Sequence, residues 1–122
     1  MRKTICMATA TTLIFICCVS AALSAESPQD LFFSQYIEGS SYNKALEIFN
    51  GTENAIDLSG YQIKAYHNGG TDPTYTIELT GMLPADSVLV ICNPNASQDI
   101  LDAADATDSG INFNGDDAIV LS

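Results

Sequence analysis

The chain has 122 residues and a formal net charge of −11, with 4 Lys+Arg against 15 Asp+Glu. That length accommodates one domain and excludes a large α/β enzyme with a separate cofactor domain. Arg2 and Lys3 stand at the start and every acid falls from Glu26 onward, so beyond residue 25 two lysines face fifteen acids, a charge of −13. A body of that sign cannot displace counterions from a phosphate backbone, so direct nucleic-acid binding is not expected. It repels anionic surfaces and attracts cations.

Met1–Ala25 has the three-part layout of a secretory signal peptide. Arg2 and Lys3 form its cationic start, Ile5–Val19 its apolar core, and Ser20–Ala25 a run of mostly small residues. The unbroken apolar run Leu13–Val19 is seven residues, whereas a membrane-spanning helix takes roughly 18 or more. The expectation is therefore cleavage within positions 22–26, a secreted or periplasmic location and no permanent span. Cleavage after Ser24 puts small Ala22 three places before the cut. Lipid attachment at Cys17 or Cys18 is the weaker reading, because bulky Ile16 precedes Cys17. Cys6, Cys17 and Cys18 leave with the signal, and Cys92 alone makes no internal disulfide. At the end of Val88-Leu89-Val90-Ile91-Cys92 it reads as a buried core thiol. A reactive thiolate would want a cationic neighbour, and few cations exist.

After a polar leader, Glu26–Asp30, the pattern turns to period two. Leu31–Glu38 is a first strand candidate. Lys44–Phe49 puts Leu46 and Ile48 on one face. Tyr61, Ile63 and Ala65 alternate with Gln62, Lys64 and Tyr66, and Tyr75, Ile77 and Leu79 alternate with Thr74, Thr76 and Glu78. Such alternation is the signature of strands with one wet face. Val88–Cys92 is apolar throughout, which predicts a central strand covered on both faces. Ser97–Ala106 alone reads as helical, with Ser97 as cap, Asp99 in the first turn, and Ile100, Leu101 and Ala104 on one face. Ala118–Leu121 is the last strand candidate. Turn signals at Asn50-Gly51, Ser59-Gly60, Asn68-Gly69-Gly70, Asp72-Pro73, Pro84-Ala85-Asp86, Asn93-Pro94-Asn95 and Asn114-Gly115-Asp116 separate these runs. Short strands at that spacing predict an all-β sandwich or barrel.

Three segments carry a resemblance. They are Tyr36-Ile37-Glu38-Gly39-Ser40-Ser41-Tyr42-Asn43-Lys44-Ala45-Leu46-Glu47-Ile48-Phe49-Asn50, then Ile56-Asp57-Leu58-Ser59-Gly60-Tyr61, then Asn112-Phe113-Asn114-Gly115-Asp116-Asp117-Ala118. In this order and behind a signal peptide, the chain from Leu31 to Leu121 resembles the lamin-tail domain in its bacterial secreted form. The resemblance implies an immunoglobulin-like β-sandwich over residues 31–122. Family domains continue for a few dozen residues beyond the third segment, so it also implies that the last strands are missing. A truncated product or a fragment of a longer gene is then expected, with Ala118–Leu121 left as an apolar edge.

Candidate chemistry is sparse. His67, the one histidine, stands at a strand end with no nucleophile motif around it, and reads as a surface residue. Glu38 and Glu47 fall in the first segment, where acceptance of turn amides or pairing with Lys44 is expected rather than catalysis. One histidine and one mature cysteine cannot fill a structural zinc site. Asp105, Asp108, Asn112, Asn114, Asp116 and Asp117 are hard oxygen donors that suit calcium, but without EF-hand spacing they are expected first to cap backbone amides in turns. Asn50-Gly51-Thr52 and Asn95-Ala96-Ser97 match the glycosylation pattern, in turns where such residues occur anyway.

No catalytic or cofactor-binding residue is assigned, and the metal site is open. The expectation is a non-catalytic exported interaction or targeting domain that binds a protein or cell-surface partner, or sits beside a catalytic module in a longer chain. Two alternatives follow: an N-terminal fragment of an exported nuclease or phosphatase, which rests on the company such domains keep, and a calcium-dependent adhesive sandwich, which rests on the acidic C-terminal cluster.

Overall fold

Branched and aromatic side chains at every second position drive the chain into short strands, because each strand can bury one row and wet the other. The computed structural model describes residues 26–122, and the expected signal peptide, Met1–Ala25 with Cys6, Cys17 and Cys18, lies outside the described residues. The elements in order are β1 (Phe32–Glu38), β2 (Lys44–Asn50), β3 (Ile56–Asp57), β4 (Gln62–Tyr66), β5 (Tyr75–Glu78), β6 (Met82–Leu83), β7 (Ser87–Cys92), α1 (Gln98–Ala103), β8 (Ala106–Thr107) and β9 (Ala118–Leu121).

One sheet has the order β1-β2-β7-β8 and a second the order β5-β4-β9, with the short pair β3-β6 beside them. Pairing is antiparallel except between β7 and β8, which run parallel with α1 between them in sequence. A register shift between Phe33 and Gln35 bulges β1 at Ser34. The core lies between the sheets. Leu46 and Ile48 from β2 and Ile91 from β7 meet Ile63 and Ile77 from the second sheet, and Ile111 and Phe113 come from the loop before β9. Phe113 is fully buried. Of the sandwich and the barrel that the strand pattern allows, the sandwich that the resemblance implies is the observed architecture.

Several expectations are sharpened. β2 and β4 alternate as read, with Leu46, Ile48, Ile63 and Ala65 buried. The final strand candidate is β9, which pairs with β4 from Ala118↔Tyr66 to Leu121↔Ile63. Leu31 is not part of the first strand but turns into the core. The leader is not merely polar chain: a methyl group added at Gly51 would meet Pro28 at 2.8 Å, so the leader packs closely there.

Two expectations are corrected. The helix is shorter than Ser97–Ala106, and Ser97 occupies the cap position without a side-chain cap bond. Its backbone N–H instead donates to Asn43 Oδ1 at 2.7 Å, tying the helix start to the β1–β2 turn. β7 is central but not covered throughout. Ile100 and Leu101 of the helix, with Ala104 at its C-terminal cap, pack over Ala45, Cys92 and Ala96, whereas Val88 at the other end of β7 is 43% exposed. The helix is too short to cover the whole face.

Candidate functional site

The first and third sequence segments meet at one end of the sandwich. Gly39 opens the β1–β2 turn, where its N–H donates to Asn43 O at 2.7 Å. A β-carbon there would stand 2.8 Å from Asn43 Cβ, so the close approach admits only glycine without movement. Ser41 takes the left-handed conformation within this turn, at φ 55°. Beside it, Tyr36 stacks on Phe113 with centroids 4.5 Å apart, and its hydroxyl donates to Glu38 Oε2 at 3.1 Å. Burial of the ring, the bond to Glu38, and the negative charges of Glu38 and Asp117 push the Tyr36 hydroxyl up to about 12.

Asp117 is the centre of this end. Its side chain is fully buried, with Oδ1 accepting from Asn68 N at 3.0 Å and Oδ2 from Asn114 N at 2.8 Å. One carboxylate thus fixes both the Asn114–Asp117 turn and the turn after β4, satisfying two amides with charge-assisted bonds. His67 is not the surface residue expected. Its side chain is 20% exposed and its Nε2 stands 3.7 Å from Asp117 Oδ2, too far for a hydrogen bond. That nitrogen is buried without a hydrogen-bond partner, and the ring tilts against Tyr75 at 5.5 Å. Thr74 Oγ1 accepts from the His67 backbone N–H at 3.3 Å, but no hydroxyl or thiol hydrogen-bonds to the imidazole among the described residues, so a nucleophile–histidine–acid relay is not assembled there.

The other acids are likewise engaged one at a time. Asp105 accepts from Val90 N at 2.8 Å and Asp108 from Gly110 N at 2.7 Å, as the capping alternative expects. Asp116 is exposed. Among the described residues no three His, Cys, Asp or Glu side chains gather where they could hold a metal ion. The expected partners of Glu38 and Glu47 are corrected. Neither accepts a turn amide, and Lys44 Nζ donates to Gly39 O at 3.1 Å instead. Glu47 Oε1 takes Ser34 Oγ at 2.7 Å and Gln35 Nε2 at 3.1 Å, an arrangement the bulge in β1 makes possible.

The middle segment is a brace. Asp57 accepts from Ser59 N at 3.0 Å, and the Ser59 bonds hold its carboxyl below the usual range. Leu58 enters the core. Tyr61 donates to Asp30 of the leader.

With this frame in view, the comparison with known families is decisive: the model of the lamin tail domain matches residues 24–122. The chain belongs to the lamin tail domain family. That family has an immunoglobulin-like fold and is non-enzymatic. No curated protein and no solved structure matches the chain. In this lamin tail domain the matching segments supply turns, caps and core, while Cys92 is wholly buried and burial pushes its thiol up.

Sequence reasoning missed two buried amides. Asn50 is fully buried and its Nδ2 reaches Asn54 O, Leu83 O and Pro84 O at 2.9–3.1 Å, so this glycosylation match is a structural residue. Asn93 Nδ2 donates to Ile111 O at 2.9 Å. The signal was present only as asparagine beside a strand end.

Proposed function

We propose that this lamin tail domain is a non-catalytic interaction module, exported and used to position a protein or cell-surface partner. The observation that supports this reading is the consumption of its polar groups. Asp57, Asp105, Asp108 and Asp117 each accept a backbone amide, which leaves them as architecture rather than as acids or bases. General acid–base work needs a group free to exchange a proton with substrate. Export follows from the layout of Met1–Ala25, and no helix among the described residues is long and apolar enough to cross a membrane.

Two measurements test the reading. The purified chain is assayed against phosphomonoester, phosphodiester and peptide substrates, and its native size is measured in the exported fraction of the producing cell. No turnover and migration in a complex larger than the chain are expected. Turnover that disappears in His67→Ala or Glu38→Gln, or migration only as the free chain, overturns it.

A further inference from the structure

The outer face of the β1-β2-β7 sheet carries a feature that the fold does not use. Beyond the end of α1, a groove of about 390 Å³ opens over the sheet, lined by Ile37, Ala45, Glu47, Val88, Val90 and Ala103. Ile37 is 42% exposed. Phe32, on the same face by its pairing with Phe49, is exposed to the same degree. A run of apolar side chains left open across three strands is the kind of patch that marks an interaction surface.

Glu47 stands in this apolar row, half-buried, between Gln35 and Val90 on the neighbouring strands. Oε1 is pinned by Ser34 and Gln35, while Oε2 accepts no hydrogen bond among the described residues. No lysine or histidine approaches Glu47 within 4 Å there; the sole contact of that kind is His67–Asp117. The carboxylate is therefore held in one orientation, in apolar surroundings that strengthen its field, and meets no cation among the described residues. Neither lysine among the described residues supplies one. Lys44 is buried against Gly39, and Lys64 lies on β4 in the other sheet. A second copy brings the same −13 between residues 26 and 122, and an anionic membrane meets the same repulsion.

We infer that the groove binds a segment of another protein in which aliphatic or aromatic side chains flank a lysine or arginine. The apolar side chains cover Ile37, Val88 and Val90, and the cation meets Glu47 Oε2. This inference rests on the interaction reading above and adds the surface and the chemistry of the partner.

The probe is a capped synthetic hexapeptide alternating leucine and valine around one lysine, titrated into the isotope-labelled chain and followed by amide chemical shifts. Saturable shifts at Ile37, Glu47, Val88, Val90 and Ala103 are expected. Affinity falls about tenfold when Glu47→Gln removes the charge, when norleucine replaces the peptide lysine, and with Val88→Glu, each equivalent to one lost charge or apolar contact. Both protein variants change exposed or half-buried groups and keep the parent's melting curve. Shifts centred elsewhere, equal affinity for Glu47→Gln, self-association that uses the same face, or no saturation at millimolar peptide overturns the inference. A Val88→Glu chain that still enters the native complex also overturns the groove but leaves the interaction reading standing. Absence of any native complex removes that reading itself.

Discussion

Replacing Asn50 by alanine removes a fully buried amide at the end of β2. Its Nδ2 lies 2.9 Å from Asn54 O, 2.9 Å from Leu83 O and 3.1 Å from Pro84 O. An amide has two N–H groups, so three acceptors share two bonds' worth of donation. The alanine variant strips the buried Leu83 O and the part-buried Pro84 O of this donor, while Asn54 O keeps the Thr52 hydroxyl; an unpaired buried acceptor costs about 1–3 kcal/mol and a part-buried one less. Thr52, which donates to Asn50 Oδ1 through both its N–H and its hydroxyl, is half-buried and can turn to water. The net loss is about 2–4 kcal/mol, a large share of the roughly 5–15 kcal/mol that holds a domain folded. At about 4–8 °C per kcal/mol for a domain of this size, the melting temperature falls by roughly 8–30 °C. Thermal and urea melts by circular dichroism measure both quantities. Asn50→Asp is the sharper companion, since it keeps the acceptor for Thr52 but turns a carboxylate toward three carbonyls. It loses at least as much stability near neutral pH and regains part of it when acidified, because a protonated carboxyl can donate once. If both variants melt within about 1 kcal/mol of the parent, the amide is not the junction described here.

Gly39→Ala forces a β-carbon to 2.8 Å from Asn43 Cβ and 2.9 Å from Asn43 O, so the β1–β2 turn must shift; a loss of about 1–3 kcal/mol by urea melt is expected. Cys92, wholly buried with its thiol pushed up, stays unreactive to a disulfide reagent in the native chain and reacts at once in denaturant; prompt native labelling contradicts its place under α1. The Tyr36 hydroxyl, raised from 10.0 to about 12, binds its proton more tightly folded than unfolded, so its contribution to stability is complete below pH 10 and is lost as pH rises from there through about 12. Alkaline ultraviolet titration shows a tyrosine titrating near 12 that Tyr36→Phe removes, while Tyr61, raised by its bond to Asp30, stays late in both chains. Melting curves in millimolar calcium and in chelator coincide, because Asp105, Asp108 and Asp117 are separately committed to backbone amides; an upward shift with calcium establishes the ion site instead.

Much of this architecture is legible before any coordinates. The alternation in β2 and β4 places Leu46, Ile48, Ile63 and Ala65 inward because a half-buried strand has no other way to hide one row. The continuous run Val88–Cys92 misleads for the same physical reason. An apolar outer row reads identically whether a helix covers it or leaves it open, and α1 covers only the Cys92 end. The site residues were legible as types, not as neighbours. Asp117 meets Asn68 across 49 positions, and Asn50 meets Leu83 across 33; no local pattern encodes such pairings. Glu47 stands out in the sequence by its place in the first segment, but its donors depend on the bulge at Ser34, and a bulge displaces every later side chain without leaving a compositional trace.

The late arrival of Phe113 and β9 has a kinetic meaning. β4 is the middle strand of its sheet, yet Ala118, the partner of Tyr66, follows it by more than fifty positions, and the largest fully buried side chain comes only five residues before Ala118. During synthesis the earlier strands can collapse, but they enclose a void until those residues emerge, and contacts of such long separation close slowly. Under the export proposed above, a chain that crosses a membrane pore in extended form would gain from that delay. It would have no finished core with which to jam the pore, and the step that seals the sandwich would fall on the far side.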